Sequence, residues 1–589
     1  MTLRTGTTVP NYDKFPFIEA EKENKSCTTG WSHIIPALKA ALERSGKKKK
    51  ILVVECYPGV NDTELLQHLQ QLSPDLFIHT RSVFKDEAGI REMVYPDVTD
   101  DRVFGYLTRL NITNYLNREK TRTKEQEIAA IKEGTILIYG TGASCLAPED
   151  ALLVYADLAR WEIQLRMRRN EIDNLGISNK QASFSEQYKH AFFVDWRVCD
   201  RLKRQLMHHW DYVLDTNTPG RPKLITGKAI LKALELAVQR PFRVVPFFDP
   251  GPWGGQWLKE VCDLDKNEIN YAWGFDCVPE ENSLLLKFGD ATVEIPSINL
   301  VFYQPAALLG ERVFARFGDE FPIRFDFLDT MEGGNLSLQV HPLTGYIQEK
   351  FGMHYTQDES YYILDAAEDS FVYLGLKEKV DPQAMIGELK QSQETGDDFD
   401  AEKYVAKWPV KKHDHFSIPA GTVHCSGANS VVLEISATPY IFTFKLWDWN
   451  RLGLDGKPRP INIDHGEKVI QWNRTESWID KNILHLTTLL SQEPGICEER
   501  TGLHETEFIE TRRHWFDKKV HHHTGGGVNV LCLVEGREAV VESPTHAFEP
   551  FIVHYAETFI VPAAVGDYTI TPHGESAGKQ CATIKAYVR

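Results

Sequence analysis

The stretch Asn335-Leu336-Ser337-Leu338-Gln339-Val340-His341-Pro342 decides the fold of the second half of this chain. Its apolar residues alternate with polar ones, as in a strand that has one face in a core. Gln339 and His341 lie two positions apart, so a strand presents both side chains on the same face. We therefore expect a β-rich domain whose polar face carries a functional site.

Two later segments carry side chains that suit the same site. Glu359 lies just before the strand-like run 361–364, and His424 follows the segment Ile418-Pro419-Ala420-Gly421-Thr422-Val423. Two imidazoles, a carboxylate and an amide oxygen are suitable ligands for one zinc-like ion. Each residue taken singly has a structural explanation. The four can share an ion only if a barrel brings three distant segments together.

Composition limits the classes of partner. The chain has 589 residues and a net charge of −17, which predicts several domains and disfavours a nucleic-acid partner. A phosphorylated small substrate needs only a local basic patch. The ten cysteines are scattered, as for free thiols in a reducing compartment. The sequence shows no apolar signal core and no membrane-spanning run, so we expect a cytoplasmic location and no membrane partner.

The first part of the chain predicts an α/β domain. We expect residues 1–30 to form an irregular lead-in and residues 31–240 to alternate strands and helices in three layers with a parallel sheet. The run Ile51-Leu52-Val53-Val54 predicts a buried strand, followed by a turn and a helix that begins near Asp62. The segment Phe192–Trp196 predicts another strand. The four lysines 47–50 are interpreted as a solvated helix end.

The turn after the first strand stands where a phosphate-binding loop would lie. Such a loop needs a lysine and close-packed glycines, whereas this chain has Glu55 before the turn and Asn61 or Asp62 in place of the lysine. Over about residues 31–235 the arrangement resembles the nucleoside/uridine-kinase branch of the P-loop fold. We interpret it as a degenerate kinase-like domain with a structural or regulatory role.

The rest of the chain predicts mostly antiparallel β structure. We place an all-β domain at residues 241–475, with a helical insertion at 377–407, and a second, smaller β unit at 476–589. Residues 560–566 of the smaller unit echo 417–421 but lack a following histidine, which suggests an internal duplication with one functional copy. The run His521-His522-His523 is interpreted as a structural loop.

The ordered motifs of the β-rich part resemble the type I mannose-6-phosphate isomerases, which are cupin (jelly-roll) proteins. The resemblance covers about residues 245–589 and is carried by Trp253-Gly254-Gly255, 336–342, Glu359-Ser360-Tyr361-Tyr362, 418–424 and Trp447-Asp448-Trp449-Asn450-Arg451. It implies one bound zinc ion, or another divalent ion, held by Gln339, His341, Glu359 and His424. It also implies a pocket containing Arg451, with Trp253-Gly254-Gly255 in the barrel wall.

One position departs from the family pattern. Family members commonly carry a lysine just before the ligand glutamate, where this chain has Gln357-Asp358. Candidates for binding a substrate phosphate are therefore Arg324, Lys445 and above all Arg451, whose planar fork matches phosphate oxygens. Candidates for the base that moves the proton are Glu434, His354 and Lys445, and the sequence does not choose among them.

These patterns favour a metal-dependent isomerase that interconverts mannose 6-phosphate and fructose 6-phosphate through an enediolate. One alternative is a non-catalytic sugar-phosphate sensor in which the change at Gln357-Asp358 has abolished turnover. A second alternative, a bifunctional sugar kinase–isomerase, is disfavoured by Glu55 and Asn61. The sequence leaves the oligomeric state open.

Overall fold

The computed structural model describes residues 9–589 except 438, 439, 441, 455, 485 and 503–506. Residues 1–8 of the expected lead-in and Ile441 of an expected strand lie outside these. The chain divides into two compact units. One unit contains residues 17–236 and 283–303. The other contains residues 237–282 and 304–589, together with the described residues before 17.

A seven-stranded sheet lies at the centre of the first unit. In spatial order its strands are Cys27–Thr29, Lys223–Thr226, Tyr212–Asp215, Leu152–Asp157, Lys49–Cys56, Gly134–Gly140 and Leu76–His79. The last five run parallel to one another, as strand–helix alternation requires, and the first two pair antiparallel. The α-helices of this region are Trp31–Arg44, Asp62–Leu69, Glu87–Val98, Ile112–Tyr115, Arg118–Ala130, Arg160–Arg168, Phe184–His190, Trp196–Leu206 and Gly227–Ala237.

Three local expectations for this unit are wrong. Phe192–Trp196 is helical, because a π-helical turn at Ala191–Asp195 leads into the helix Trp196–Leu206. Residues 191–196 are all buried, and a short apolar run does not distinguish a buried strand from a buried helix. The lysine run is not a helix end, since the preceding helix ends at Arg44 and Lys49 opens a strand. The lead-in contains strands at Phe17–Glu21 and Cys27–Thr29.

The first unit also takes a segment from the middle of the expected β domain. The hairpin Ser283–Phe288 and Ala291–Pro296 pairs with Phe17–Glu21 in a three-stranded sheet, and the helix Ile298–Tyr303 follows it. Asn299 of this helix lies in a buried polar cluster, where its amide donates to Asp157 at 2.9 Å and accepts from Lys203 at 3.1 Å. These hydrogen bonds fix the segment within the first unit.

Two antiparallel sheets of the second unit carry side chains that meet in one buried cluster, and we call this pair of sheets the barrel. The six-stranded sheet has the order His415–Ile418, Asp358–Ala366, Ser430–Ala437, Arg324–Asp329, Trp273–Cys277 and Phe247–Asp249. The five-stranded sheet has the order Val405–Pro409, Phe371–Leu376, His424–Ser426, Leu338–Val340 and Phe444–Trp447. Helices in this region are Trp257–Val261, Pro305–Leu309, Glu311–Phe317, Thr344–Phe351, Pro382–Thr395, Ala401–Tyr404, Ile463–Val469 and Glu476–Asn482. Two of them lie in the expected insertion at 377–407.

A second pair of sheets follows and forms the C-terminal β unit. One sheet has the order Thr488–Glu493, Ile496–Thr501, Ile509–Phe516, Cys581–Val588, Asn529–Glu535 and Thr558–Val561. The other has the order Val520–His523, Asp567–Pro572, Glu538–Glu542 and Phe551–His554. Side chains of both sheets share one apolar core, which includes Phe516, Val520, Leu533 and Ile570. The expectation of a loop at 521–523 is wrong, because these histidines lie in a strand.

None of the ten cysteines forms a disulfide, and seven of them are buried. Among the described residues, no helix combines the length and apolar character that a membrane crossing requires.

Candidate metal site

Three side chains from separate strands meet at one buried point of the barrel. The carboxylate of Glu359 lies 3.0 Å from Nε2 of His341 and 2.9 Å from Nε2 of His424. All three residues are fully buried, with at most 1% of each exposed. Glu359 belongs to the six-stranded sheet and His424 to the five-stranded sheet, while His341 directly follows the strand Leu338–Val340. The barrel therefore brings together side chains that are up to 83 positions apart in the sequence.

Gln339 lies beside this group. It is the direct cross-strand partner of His424, and its amide nitrogen lies 3.2 Å from Nε2 of that residue. The structure thus places all four side chains that the sequence selected as metal ligands in one cluster.

The hydrogen bonds of the two imidazoles fit a bound divalent ion. Nδ1 of His341 lies 2.7 Å from the carbonyl oxygen of Phe442, and Nδ1 of His424 lies 2.9 Å from that of Thr422. A carbonyl oxygen only accepts, so each ring carries a proton on Nδ1 and, in its neutral form, directs the Nε2 lone pair at Glu359. Two lone pairs and a carboxylate that converge in a buried space leave repulsion that a cation would relieve. The residues therefore fit the metal that the resemblance implies.

The charge state of Glu359 agrees with this arrangement. Burial alone would raise its pKa, but the positive charge that protonated His341 and His424 place beside the carboxylate holds that pKa well below the ordinary value. A bound cation in the same position would act in the same direction. The carboxyl group is therefore ionised, as a metal ligand must be.

Gln357 links the cluster to a second buried carboxyl group. Its amide nitrogen donates to Glu359 at 2.8 Å and to Glu434 at 3.3 Å, and its amide oxygen accepts the N–H of Phe442 at 3.0 Å. The position that departs from the family pattern is thus buried and fully hydrogen-bonded. From the sequence, Gln357 was notable only because family members commonly carry a lysine just before the ligand glutamate.

Two further acids line the same face of the barrel. Glu434 and Asp326 are direct cross-strand partners, and both are buried. Burial, Asp326 and Glu359 raise the pKa of Glu434 well above its ordinary value, and burial raises the pKa of Asp326 to about 6. Arg324 donates from Nε to Asp326 at 3.2 Å, so this candidate phosphate ligand is already paired with a carboxylate.

Lys445 faces the cluster from the neighbouring strand. It is the direct cross-strand partner of Gln339. Burial, with a further contribution from Arg459, lowers the pKa of Lys445 to about 7. Among the described residues, its ammonium group makes no ion pair.

Arg451 belongs to a charged group built on Asp448. Its guanidinium donates to Asp448 at 2.7 Å and to the carbonyl oxygen of Asn335 at 2.6 Å. Arg459 donates to the other oxygen of Asp448 at 2.9 Å and to Ser337 at 3.1 Å. Sequence reasoning missed Arg459, although it lies only eight positions after Arg451 in the same motif region.

The structure separates one candidate from the rest. His354 is exposed and lies outside the buried cluster, so it does not fit the role of a base in this site. By contrast, Trp253 is 2% exposed, and Gly255 packs so closely that an added Cβ would lie 2.1 Å from a carboxylate oxygen of Asp329. The Trp253-Gly254-Gly255 motif is therefore a tightly packed part of this unit.

The turn of the first unit differs in detail from expectation. The Glu55 carboxylate is buried and accepts the N–H groups of Gly142 at 2.6 Å and Ser144 at 2.8 Å. Burial raises its pKa to about 7. Glu55 therefore turns away from the loop, and the negative charge at the helix start is that of Asp62. A cavity of about 500 Å³ lies beside this loop, lined in part by Gly59, Asp62, Arg81 and Lys180.

Comparisons with known proteins match different parts of the chain. Residues 30–239 match the family model described as a domain of unknown function, DUF8485. A mannose-6-phosphate isomerase of Streptococcus mutans is 29% identical over 175 residues, which are 29% of this chain and 52% of that protein. The isomerase ManA of Bacillus subtilis is 29% identical over 158 residues, which are 26% of this chain and 45% of that protein.

One solved structure of the same kind is also similar. The mannose 6-phosphate isomerase of Bacillus subtilis aligns with a TM-score of 0.48 and 20% sequence identity, over 59% of this chain and 100% of that chain. The chain spans about half the length of the two curated relatives described above. Part of the chain is thus similar in sequence to proteins named mannose-6-phosphate isomerase.

Proposed function

We propose that the chain is a metal-dependent aldose–ketose isomerase that interconverts mannose 6-phosphate and fructose 6-phosphate. The observation that carries this proposal is the convergence of His341, Glu359 and His424, with both Nε2 lone pairs directed at one carboxylate. Gln339 would complete a set of two nitrogens and two oxygens, which suits zinc, once its amide group is turned so that the oxygen replaces the nitrogen beside His424. The names of the curated relatives support the substrate class.

The reaction moves a carbonyl group between C1 and C2 of the sugar. A proton must leave the carbon next to the carbonyl and return to its neighbour, and the enediolate between the two states is anionic. When bound, a divalent ion would supply Lewis-acid stabilisation of that negative charge. The residues of the chain must hold the sugar, exclude water and carry the proton.

Lys445 and Glu434 are the groups that we propose for proton transfer. Lys445 lies across from Gln339 and has no carboxylate partner among the described residues, so its nitrogen can accept or donate a proton at the sugar. Glu434 is joined to the cluster through Gln357. A carboxyl group whose pKa is raised can hold a proton at neutral pH and return it to an oxygen or carbon of the substrate.

Arg451, supported by Arg459, is the proposed ligand of the sugar phosphate. Asp448 holds both guanidinium groups in place, and each has further N–H groups to offer. A pair of oriented guanidinium groups matches the oxygens of a phosphate monoester.

A coupled assay of mannose 6-phosphate conversion, with and without a chelator, tests the proposal. We expect turnover that the chelator abolishes and added zinc restores. Turnover that survives full removal of metal would contradict the proposal.

Gln357 favours a second candidate function. A glutamine cannot move a proton as the family's lysine can, so the barrel could bind metal and sugar phosphate without converting it. The same assay, paired with a binding titration of mannose 6-phosphate, separates the two candidates. Binding in the absence of turnover would identify a sensor.

For the first unit, we infer a kinase-like domain that has lost its phosphate loop and has a structural or regulatory role. The loop before the helix Asp62–Leu69 has no lysine, and the side chain of Asn61 already caps that helix by accepting the N–H of Glu64. The Asp62 carboxylate would repel a phosphate. Tight, magnesium-dependent ATP binding by the full chain would overturn this inference and favour a bifunctional kinase–isomerase.

A further inference from the structure

The C-terminal β unit has a polar region between its two sheets. Near one end, its inward-facing residues include Phe516, Cys581 and Val520 of the apolar core. Side chains alternate along a strand, so each of the three strands places every second residue inward. The next inward positions are His514 and Arg512 on Ile509–Phe516, Thr583 and Lys585 on Cys581–Val588, and His522 on Val520–His523. We name the group Glu498, Arg512, His514, His522 and Lys585 the polar cup.

Three of the five side chains of the cup are buried, and Glu498 and Arg512 are partly exposed. His514, His522 and Lys585 are 3%, 6% and 7% exposed. The two imidazole rings lie 4.5 Å apart, and His522 stacks on Tyr568 at 5.1 Å. This degree of burial is unusual for lysine, which is rarely buried without a partner.

Several polar atoms of the cup have no partner. Nδ1 of His514 and Nε2 of His522 are buried and make no hydrogen bond within the described residues. The Lys585 ammonium likewise forms no ion pair with any described carboxylate. Buried polar groups are normally hydrogen-bonded, so a missing ligand is a direct explanation of these atoms.

Positive charges lie side by side at the cup. Arg500 is the cross-strand partner of Arg512, which is in turn the partner of Lys585. Like charges directly opposite one another destabilise a sheet. Arg512 is compensated by Glu498 at 2.8 Å and by Glu510 at 2.7 Å, but Lys585 is not.

The ionisable groups that face one another in the cup have shifted pKa values. Burial lowers the pKa of Lys585 to about 8, with Glu498 and Glu510 opposing that shift and Arg512 adding to it. Burial also lowers the pKa values of His514 and His522. Both imidazoles are therefore neutral at pH 7. His514 directs the N–H of its Nε2 to the Glu498 carboxylate at 3.3 Å, so its Nδ1 carries a lone pair, whereas the unpartnered Nε2 of His522 can carry an N–H group. Most Lys585 side chains remain charged at this pH.

We propose that the polar cup is a second ligand site, which binds a small oxyanion (the phosphate or carboxylate group of a metabolite) between the Lys585 ammonium and the imidazole of His522, with His514 held in place by Glu498. A metal ion fits the cup less well. Among the described residues, the convergent group of three metal-ligating side chains is the one at His341, Glu359 and His424. The site is separate from the proposed isomerase centre and shares none of its residues.

Titration of the whole chain with inorganic phosphate, monitored by calorimetry, tests the proposal. The titration uses a Lys445→Met, Arg451→Met double variant, in which the other candidate phosphate site is removed. We expect saturable binding that Lys585→Met weakens about tenfold or more, since a charge-assisted hydrogen bond is lost. Lys519→Met is the matched control, because Lys519 belongs to the same unit but its side chain is 51% exposed. Unchanged binding in Lys585→Met would overturn the proposal.

The histidines offer a second pair of matched variants on one strand. We expect His522→Asn to weaken phosphate binding, whereas His521→Asn, which changes an exposed neighbour, should not. Equal effects of the two substitutions would overturn the assignment of His522.

Hydrogen–deuterium exchange of the unsubstituted protein gives a readout that does not depend on variants folding. Phosphate should slow exchange in the strands Ile509–Phe516 and Cys581–Val588. The same effect with acetate would extend the site to carboxylates, and an effect of phosphate alone would restrict it to phosphate groups. No protection by either ion would overturn the proposal.

Discussion

The Nε2 atoms of His341 and His424 face one carboxylate because backbone carbonyl oxygens hold the protons of both rings on Nδ1. The carbonyl oxygen of Phe442 orients the ring of His341, and that of Thr422 orients the ring of His424. The orientation of the two imidazoles is therefore a property of the barrel, and only the amide group of Gln339 must turn for its oxygen to face the cluster.

Substitution of His424 by alanine tests the metal site directly. We expect metal content to fall from about one ion per chain to a small fraction and turnover to fall at least about 100-fold, because a first ligand and its lone pair are lost. Metal analysis and the coupled assay measure both. His465→Gln is the control, since His465 is bonded to Tyr346 and takes no part in the cluster. Full metal content in His424→Ala would contradict the ligand assignment.

Lys445→Met separates proton transfer from metal binding. The methionine keeps the length of the side chain but cannot carry a proton, so kcat should fall about 100-fold or more while metal content is unchanged. Steady-state kinetics together with metal analysis check this. An unchanged kcat would leave Glu434 as the remaining candidate for the base.

Gln357→Leu tests whether the replaced family position is a positioning residue. The leucine fills a similar volume but leaves Glu359 and Glu434 without their shared donor, so we expect metal affinity or turnover to fall about 10-fold to 100-fold. Competition with a metal-binding dye gives the affinity. Gln348→Leu is the control, since its amide bonds only an exposed loop carbonyl. An unchanged affinity and rate would show that Gln357 is merely structural.

The four proposed metal ligands could be selected from the sequence because each has a distinctive chemistry and lies in or beside a strand whose face is predictable. The residues that contact these four side chains could not be predicted from the sequence in the same way. Gln357 and Arg459 act through partners from strands far away in sequence, and no local period reveals such partners. His354 shows the opposite failure, because its residue type suggested a base and only the fold shows that it is exposed.

At the scale of elements, a buried charged network joins the barrel to the C-terminal β unit. Arg243 pairs with Asp276 of the barrel strand Trp273–Cys277 at 3.3 Å and with Glu557 of the C-terminal unit at 2.7 Å. Tyr12 also donates to Asp276, at 2.5 Å. Each of the three charged side chains is at most 1% exposed.

Arg243→Leu should therefore destabilise this part of the protein by roughly 3–5 kcal/mol, because it leaves the buried Asp276 without its cation and Glu557 with only His554. Denaturant unfolding followed by tryptophan fluorescence measures the change. Arg312→Leu, on an exposed helical position, should change the free energy of unfolding by no more than about 0.5 kcal/mol. Similar effects of both substitutions would show that the network contributes little.

The elements themselves differed in how well the sequence predicted them. Strands of the barrel follow clear alternation, and those of the parallel sheet follow continuous apolar runs. The helical segment 191–196 could not be told from a strand, because all of its side chains are buried and no polar face reveals its period.

At the scale of the whole molecule, one histidine makes stability depend on pH. His415 hydrogen-bonds to Ser360 of the barrel at 2.9 Å and to Thr501 of the C-terminal unit at 2.9 Å. Burial, with the nearby charge of Arg513, lowers its pKa from 6.5 to about 3. In the unfolded chain, the His415 imidazole therefore becomes protonated below about pH 6.5, whereas in the folded protein it becomes protonated only near pH 3.

The stability that neutral His415 supports is thus fully present above pH 6.5 and is lost as the pH falls toward 3, by at most about 1.4 kcal/mol per pH unit. Denaturant unfolding at a series of pH values measures this slope. We expect His415→Asn to flatten it, whereas His354→Asn, at an exposed position, should leave it unchanged. An equal slope in wild type and His415→Asn would contradict the prediction.

The hairpin and helix at residues 283–303 belong to the first unit although they are encoded within the second. The polypeptide therefore passes from one unit to the other and back, and no single cut separates two complete modules. A fragment that ends near residue 240 would lack Asn299 and leave Lys203 and Asp157 without one of their hydrogen-bonding partners. A deletion of residues 241–589 would therefore also remove part of the first unit, and the segment 283–303 would have to be moved within the gene before that unit could be encoded as one continuous stretch.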